Sequence, residues 1–193
     1  MGNISSIIGA LDYHHVDQIV VSNKSEEFEA ADKLILPGVG SFQVAMKNIR
    51  SLGIDKNLEN EILINKKPVL GICLGMQLMC KSSTESGLSE GLGFIDAKVE
   101  QFSLSKLKVP HVGYNQVKVN KDSKLFKGIK NFSDFYFVHS FYMTSEIDIC
   151  QSFCEYSINF ISSYEVGNIF GVQFHPELSQ YNGLNLIKNF IEV

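Results

Sequence analysis

Cys73 stands between two glycines in Gly71-Ile72-Cys73-Leu74-Gly75, directly after the apolar run 68–72 and before the helical pattern Met76-Gln77-Leu78-Met79-Cys80-Lys81. A strand that turns sharply into a helix at a nucleophile is the elbow of α/β hydrolases, here with sulfur in place of a serine hydroxyl. The glycines answer a steric demand, because the backbone of such a turn is strained and side chains beside the nucleophile would run into neighbouring strands. A thiolate at a helix start is favoured by the helix dipole and by an adjacent imidazole. The plainer reading of this segment is a small buried cysteine in a Gly-rich turn. A nucleophile needs a base, and of the five histidines only His175 closes a strongly apolar run, Ile169-Phe170-Gly171-Val172-Gln173-Phe174, before a proline that stops it. Glu177, two residues on, is placed to turn back and hold the imidazole in one tautomer and orientation, the third role of a triad. A His-Pro turn alone is ordinarily just a turn. With the elbow in the same chain, Cys73, His175 and Glu177 read together as catalytic.

These residues lie about a hundred positions apart, so a sheet must bring them together. In the first third, short apolar runs alternate with helical patterns: a helix at 3–11, strands at 18–21 and 33–36, helices at 41–50 and 55–66, and a buried strand at 68–72. The second half is richer in strands, at 97–102, 116–119, 135–138, 150–155, 160–164 and 169–174, before a closing helix at 183–191. This order implies an α/β doubly wound, mainly parallel sheet with an antiparallel extension in its second half. Active sites of such sheets gather where strands end at their carboxyl edge. Three segments occupy such places: Pro37-Gly38-Val39-Gly40, the Cys73 elbow, and Phe174-His175-Pro176-Glu177. Taken alone, the first of them is an ordinary strand-to-helix turn.

The composition sets the remaining bounds. A chain of 193 residues, 45% hydrophobic and without a linker or internal repeat, is expected to form one domain, 1–193. A net charge of -4 with scattered basic residues gives no electrostatic footprint for nucleic acid. No apolar run approaches the roughly 20 residues of a membrane span, and the first residues lack a secretory signal's basic region, so no membrane association and a cytoplasmic location are expected. Cys73, Cys80, Cys150 and Cys154 show no zinc-like spacing and too few partners for a disulfide framework, so reduced thiols, no metal and no cofactor are expected.

GICLGMQ followed a hundred residues later by QFHPE resembles the class I glutamine amidotransferases. PGVGSF, HVGYNQV, YFVHSF and GNIFGVQFHPE, in that order and spanning nearly the whole chain, resemble the glutaminase branch that serves imidazole glycerol phosphate synthases. The resemblance implies a flavodoxin-like fold and hydrolysis of L-glutamine by Cys73, with His175 relaying the proton, Glu177 orienting it, and a thioester on the way to glutamate. It implies an oxyanion hole from the backbone N–H groups of Leu74, Val39 and Gly40. It places Gln77 and Glu85 at the polar groups of glutamine and brings Ser140 to it by its backbone. By composition alone, Gln77 and Glu85 read as an exposed helical face, and 111–116 as a strand edge. The implied partner is a separate (βα)8-barrel cyclase in a heterodimer, which uses the ammonia in histidine biosynthesis; the family stretch matching 111–116 lies near that partner. Two departures stand out: the family's first strand, ending Asp-Tyr-Gly before Met-Gly-Asn, is missing here, and Leu178 replaces a common lysine. The alternatives are the same chemistry supplying a cyclase-like partner in a surface-glycan or nucleotide-sugar pathway, a cysteine peptidase or chaperone-like hydrolase of similar fold, and a silent binding protein.

Overall fold

The computed structural model describes residues 4–102 and 108–193. The first half comprises α1 (Ile4–Tyr13), α2 (Ser25–Ala30), β1 (Leu34–Gly38), α3 (Phe42–Ser51), α4 (Ile54–Leu58) with a π-helical continuation (Glu59–Ile64), β2 (Val69–Cys73) and α5 (Leu74–Leu78). Strands then dominate: β3 (Cys80–Ser83), β4 (Ser89–Glu90), β5 (Ile95–Gln101), β6 (His111–Lys118), β7 (Ser133–His139) and β8 (Phe141–Thr144). The chain closes with β9 (Ser152–Tyr156), β10 (Ile158–Val166), β11 (Ile169–Val172), a 3-10 turn (Pro176–Leu178) and α6 (Gln180–Ile191).

All these strands belong to one mixed sheet whose main path runs β1-β2-β11-β10-β8-β5-β3-β4, while β9 links β10 to the β6/β7 hairpin. At one end β1, β2 and β11 run parallel with β2 in the middle, and every residue of β2 is buried. That is the reason its run is apolar throughout, since helices cover both faces. One face packs Phe42, Met46, Ile62 and Met76 into a core beneath α3 and α4. The other packs Phe170, Phe174, Leu186 and Phe190 with Ile7 beneath α1 and α6. In β5, by contrast, buried and exposed residues alternate, the signature of a strand with one wet face.

The α/β class and the antiparallel extension are as expected from sequence, whereas several elements differ. Residues 18–21 form no strand: Val20 and Val21 are 50% and 64% exposed, and among the described residues β1 is bonded on one side only, to β2. An apolar run without a neighbour to pair with does not become a strand. The helical pattern over 76–81 stops at Leu78, because Cys80–Ser83 is drawn into the sheet between β5 and β4. The strand expected at 116–119 is the tail of the longer β6. Asn3, at the start of the first expected helix, lies outside the described residues.

The approach of α5 to the sheet depends on two positions without side chains. A Cβ on Gly75 would lie 1.7 Å from the Leu36 carbonyl oxygen, and one on Gly71 would lie 2.7 Å from the Met76 backbone nitrogen. Gly75→Ala is therefore expected to destabilise by about 3 kcal/mol or more, since backbone rather than a flexible side chain would have to yield. Thermal unfolding of the purified variant checks this, and a melting temperature equal to that of the wild type would show that α5 can tilt away at no cost.

Candidate active site

The register of the three parallel strands brings the chemistry together. Gly38 pairs with Cys73 across β1 and β2, and Val172 pairs with Ile72 across β11 and β2. Cys73, which ends β2, and the residues that follow the three strands, 39–40, 74 and 173–177, therefore emerge at the same carboxyl edge. There Cys73 adopts φ 53°, ψ -109°, a conformation that L-residues avoid and that costs on the order of 1–3 kcal/mol. The thiol is buried beside a cavity of about 220 Å³ lined by Val39, Gly40, Leu74, Gln77, Val138 and His139. This is smaller than the roughly 300 Å³ at which drug-sized pockets begin, and it suits a molecule of amino-acid size.

His175 and Glu177 sit together under the same edge. His175 Nδ1 lies 2.8 Å from Glu177 Oε1, and both side chains are almost fully buried. A carboxylate only accepts, so Nδ1 carries the proton given to Glu177 and Nε2 is left for Cys73. Nε2 is buried without a closed hydrogen bond among the described residues, an open geometry common in sites without substrate. Burial by itself disfavours the imidazolium, but Cys73 and Glu177 outweigh it and raise His175 to about 10. The arrangement favours a charged imidazole facing the sulfur of Cys73.

Of the other residues singled out in the sequence, Val39, Gly40, Leu74 and Gln77 line the cavity with Cys73. Gly40 has φ 98°, which a glycine accepts without strain. Leu74 opens α5, so its N–H has no acceptor within that helix. Gln77 is buried, and its Nε2 donates to the Phe141 carbonyl oxygen at 3.0 Å and to Gln173 Oε1 at 2.8 Å. It occupies no exposed helical face. Glu85 does not line the cavity: its Oε2 accepts the Phe42 N–H at 2.7 Å, tying down the start of α3 just behind the Val39-Gly40 turn. Ser140 accepts the Phe102 N–H through its carbonyl at 3.3 Å, linking the end of β5 to the turn between β7 and β8.

Three buried polar residues around this site escaped the sequence reading. Gln173 places its amide nitrogen 3.6 Å from Cys73 Sγ. His111 and His139 face each other across β6 and β7, with Nδ1 of His111 3.0 Å from Nε2 of His139. His139 Nδ1 reaches the Phe141 carbonyl oxygen at 2.8 Å, which makes it the donor; His111 must then donate from Nδ1 and accept the Asn115 amide at Nε2. Both rings are neutral. Burial lowers His111 to about 4; burial, partly offset by the hydrogen bond to the Phe141 carbonyl and reinforced by the repulsion a second imidazolium at His111 or His175 would add, lowers His139 to about 3. The one signal available beforehand was a glutamine in an apolar run, whereas the histidine pair needs the hairpin register.

Fold and site together define a class I glutamine amidotransferase: the family model for glutamine amidotransferase class-I matches residues 2–193, and the chain belongs to that family. Within it, the chain is similar to imidazole glycerol phosphate synthase subunit HisH 1 of Campylobacter jejuni strain RM1221, with 44% identity over all of this chain and 96% of the relative. It is equally similar to subunit HisH of Methanocaldococcus jannaschii, at 44% identity over 100% of this chain and 95% of that one. In fold it matches the crystal structure of a glutamine amidotransferase with a TM-score of 0.69, 19% identity, and coverage of 99% of this chain and 93% of that one. The glutaminase domain of Trypanosoma brucei CTPS, bound to acivicin, matches with a TM-score of 0.67, 16% identity, and coverage of 98% and 86%.

The histidine pair makes stability depend on pH with a definite sign. Its folded-state values lie below the ordinary 6.5, so the unfolded chain binds more protons and stability falls as pH drops from 6.5 towards 4. His175 is raised instead, so its contribution is already complete below 6.5 and adds no slope there. Lowering the pH from 6.5 to about 5 is expected to cost on the order of 1–2 kcal/mol per histidine of the pair. His111→Gln should remove roughly half of that slope in melting curves recorded across this window; an unaltered slope would mean that His111 does not titrate on unfolding.

Proposed function

We infer that this chain is the glutaminase subunit of an imidazole glycerol phosphate synthase, releasing ammonia from L-glutamine for a separate cyclase in histidine biosynthesis. The observation that carries this reading is the convergence of Cys73, His175 and Glu177 at one carboxyl edge in a chain that matches HisH subunits end to end. The Cys73 thiolate attacks the side-chain carboxamide carbon. The oxygen that becomes negative is met by backbone N–H groups of Leu74 and of the Val39-Gly40 turn. His175 gives its Nε2 proton to the nitrogen as the C–N bond breaks, so ammonia leaves and a thioester remains. A water then gives its proton to His175 and attacks the thioester, and glutamate departs as sulfur is released. Glu177 steadies the imidazolium through both halves of the cycle.

The contacts in the site refine the roles of the substrate-binding residues. Both N–H groups of Gln77 are engaged, so it meets glutamine through its carbonyl oxygen, which suits the α-ammonium. Glu85 adds negative charge nearby while holding the Val39-Gly40 turn through the start of α3. Ser140 contributes its backbone from the turn beside Phe141. The partner is a (βα)8-barrel cyclase, and the β6/β7 hairpin supports a docking face for it: Val112 and Tyr114 are 56% and 50% exposed, beside a cavity whose lining includes Val138.

Glutamate release by the purified chain, alone and with the cyclase, tests the assignment. Activity is expected with the cyclase present, Cys73→Ala should lower it at least about a thousandfold, and a chloroketone analogue of glutamine should label Cys73. Absence of label on Cys73 even with the cyclase present would sink the assignment.

A further inference from the structure

The apolar run leading to His175 contains one polar side chain, that of Gln173, and it has no exposed surface. Its amide nitrogen lies 3.6 Å from Cys73 Sγ, and its amide oxygen lies 2.8 Å from Gln77 Nε2. The two ends of a carboxamide look alike, so direction has to come from the partners. Here one backbone group decides it. The Phe141 carbonyl oxygen, 3.0 Å from Gln77, accepts and never donates, so Gln77 must turn its NH2 towards it. That NH2 also faces Gln173, which must answer with its oxygen. The amide NH2 of Gln173 is then left pointing at the sulfur.

A hydrogen bond to the ionised form of an acid favours ionisation. The sulfur has a second close contact of opposite preference, the Val138 carbonyl oxygen at 3.9 Å, which accepts a hydrogen bond from the thiol and offers nothing to a thiolate. Resting on the reading of Cys73 as the nucleophile, we propose that Gln173 is a further functional residue of the glutaminase reaction: its amide N–H stabilises the Cys73 thiolate, in a direction imposed by Gln77 and the Phe141 carbonyl. His175 supplies charge and moves the proton. Gln173 supplies a fixed dipole that cannot give its proton away, so it holds the sulfur ionised without competing for the proton that ammonia needs. Its contact persists as the thioester collapses and the sulfur regains its charge, so attack and release both benefit.

The pH dependence of Cys73 alkylation by iodoacetamide, followed on the Cys73 peptide by mass spectrometry, distinguishes this role from packing. In Gln173→Met, which keeps the length of the side chain and removes its N–H, the alkylation midpoint is expected to rise by about one pH unit. The kcat for glutamine with the cyclase present should fall about tenfold, with KM changed little. A folded variant with a lowered melting temperature but an unmoved midpoint would overturn the proposal, since a packing role predicts that result. Should Gln173→Met fail to fold, Gln173→Glu keeps an acceptor for Gln77 while removing the amide donor, and its midpoint must likewise rise; an unmoved value again overturns the proposal. Labelling of the wild type by the chloroketone, run alongside, reports separately on the glutamine reading, so the two ideas fail by different results.

Discussion

The contact on which the rest of this structure depends is the passage of α5 over the backbone of β1, where position 75 meets the Leu36 carbonyl oxygen with no room for a side chain. Because α5 lies so close, the chain must reverse within the last residue of β2, and that residue is Cys73. The reversal also leaves Cys73 next to Gly38 on one side and to the continuation of β11 on the other. Neighbouring parallel strands end level with one another, so three loops from distant parts of the chain share an edge. The site is a property of strand register before it is a property of any side chain.

Burial alone does not determine how a histidine behaves in this protein. His175, His111 and His139 are all nearly inaccessible, yet the first is driven towards the charged form and the other two away from it. The difference lies in their partners. His175 has a carboxylate on one nitrogen and a thiol near the other, whereas His111 and His139 have each other, an amide and a backbone carbonyl; only the carbonyl favours a positive charge, on His139, and burial outweighs it. One member of the group is therefore held towards the charged form, while the other two make a neutral strut between β6, β7 and the start of β8.

The sequence drew attention to Cys73 and His175 because they stand at conspicuous places, a cysteine between glycines and a histidine ending an apolar run. The alternation of helices and strands around the first of these was legible for the same reason, since fully buried strands are written in uninterrupted apolar residues. Elements governed by distant pairing were not. The run 18–21 has strand composition but no neighbour among the described residues, whereas the helical pattern over 76–81 runs into Cys80–Ser83, which is recruited by β5 and β4. Glu85 reads by composition as part of an exposed helical face, whereas the fold sets it against the Phe42 N–H. His111 and His139 are 28 residues apart in sequence, and only the hairpin register makes them partners. Gln173 was readable in part, as a buried polar residue that needed an explanation, but the explanation depends on where Phe141 falls.

The backbone angles of Cys73 carry one more consequence. A glycine would rest at φ 53°, ψ -109° with far less strain than any residue bearing a side chain, so the least comfortable position in the elbow is the one that cannot be relaxed without losing the sulfur. A population of variants selected only for resistance to heat would be drawn towards glycine at this position, and would drift into sturdier molecules without the thiol. Backbone comfort alone favours a different amino acid here, so the elbow keeps a sulfur at the carboxyl edge at a cost in stability.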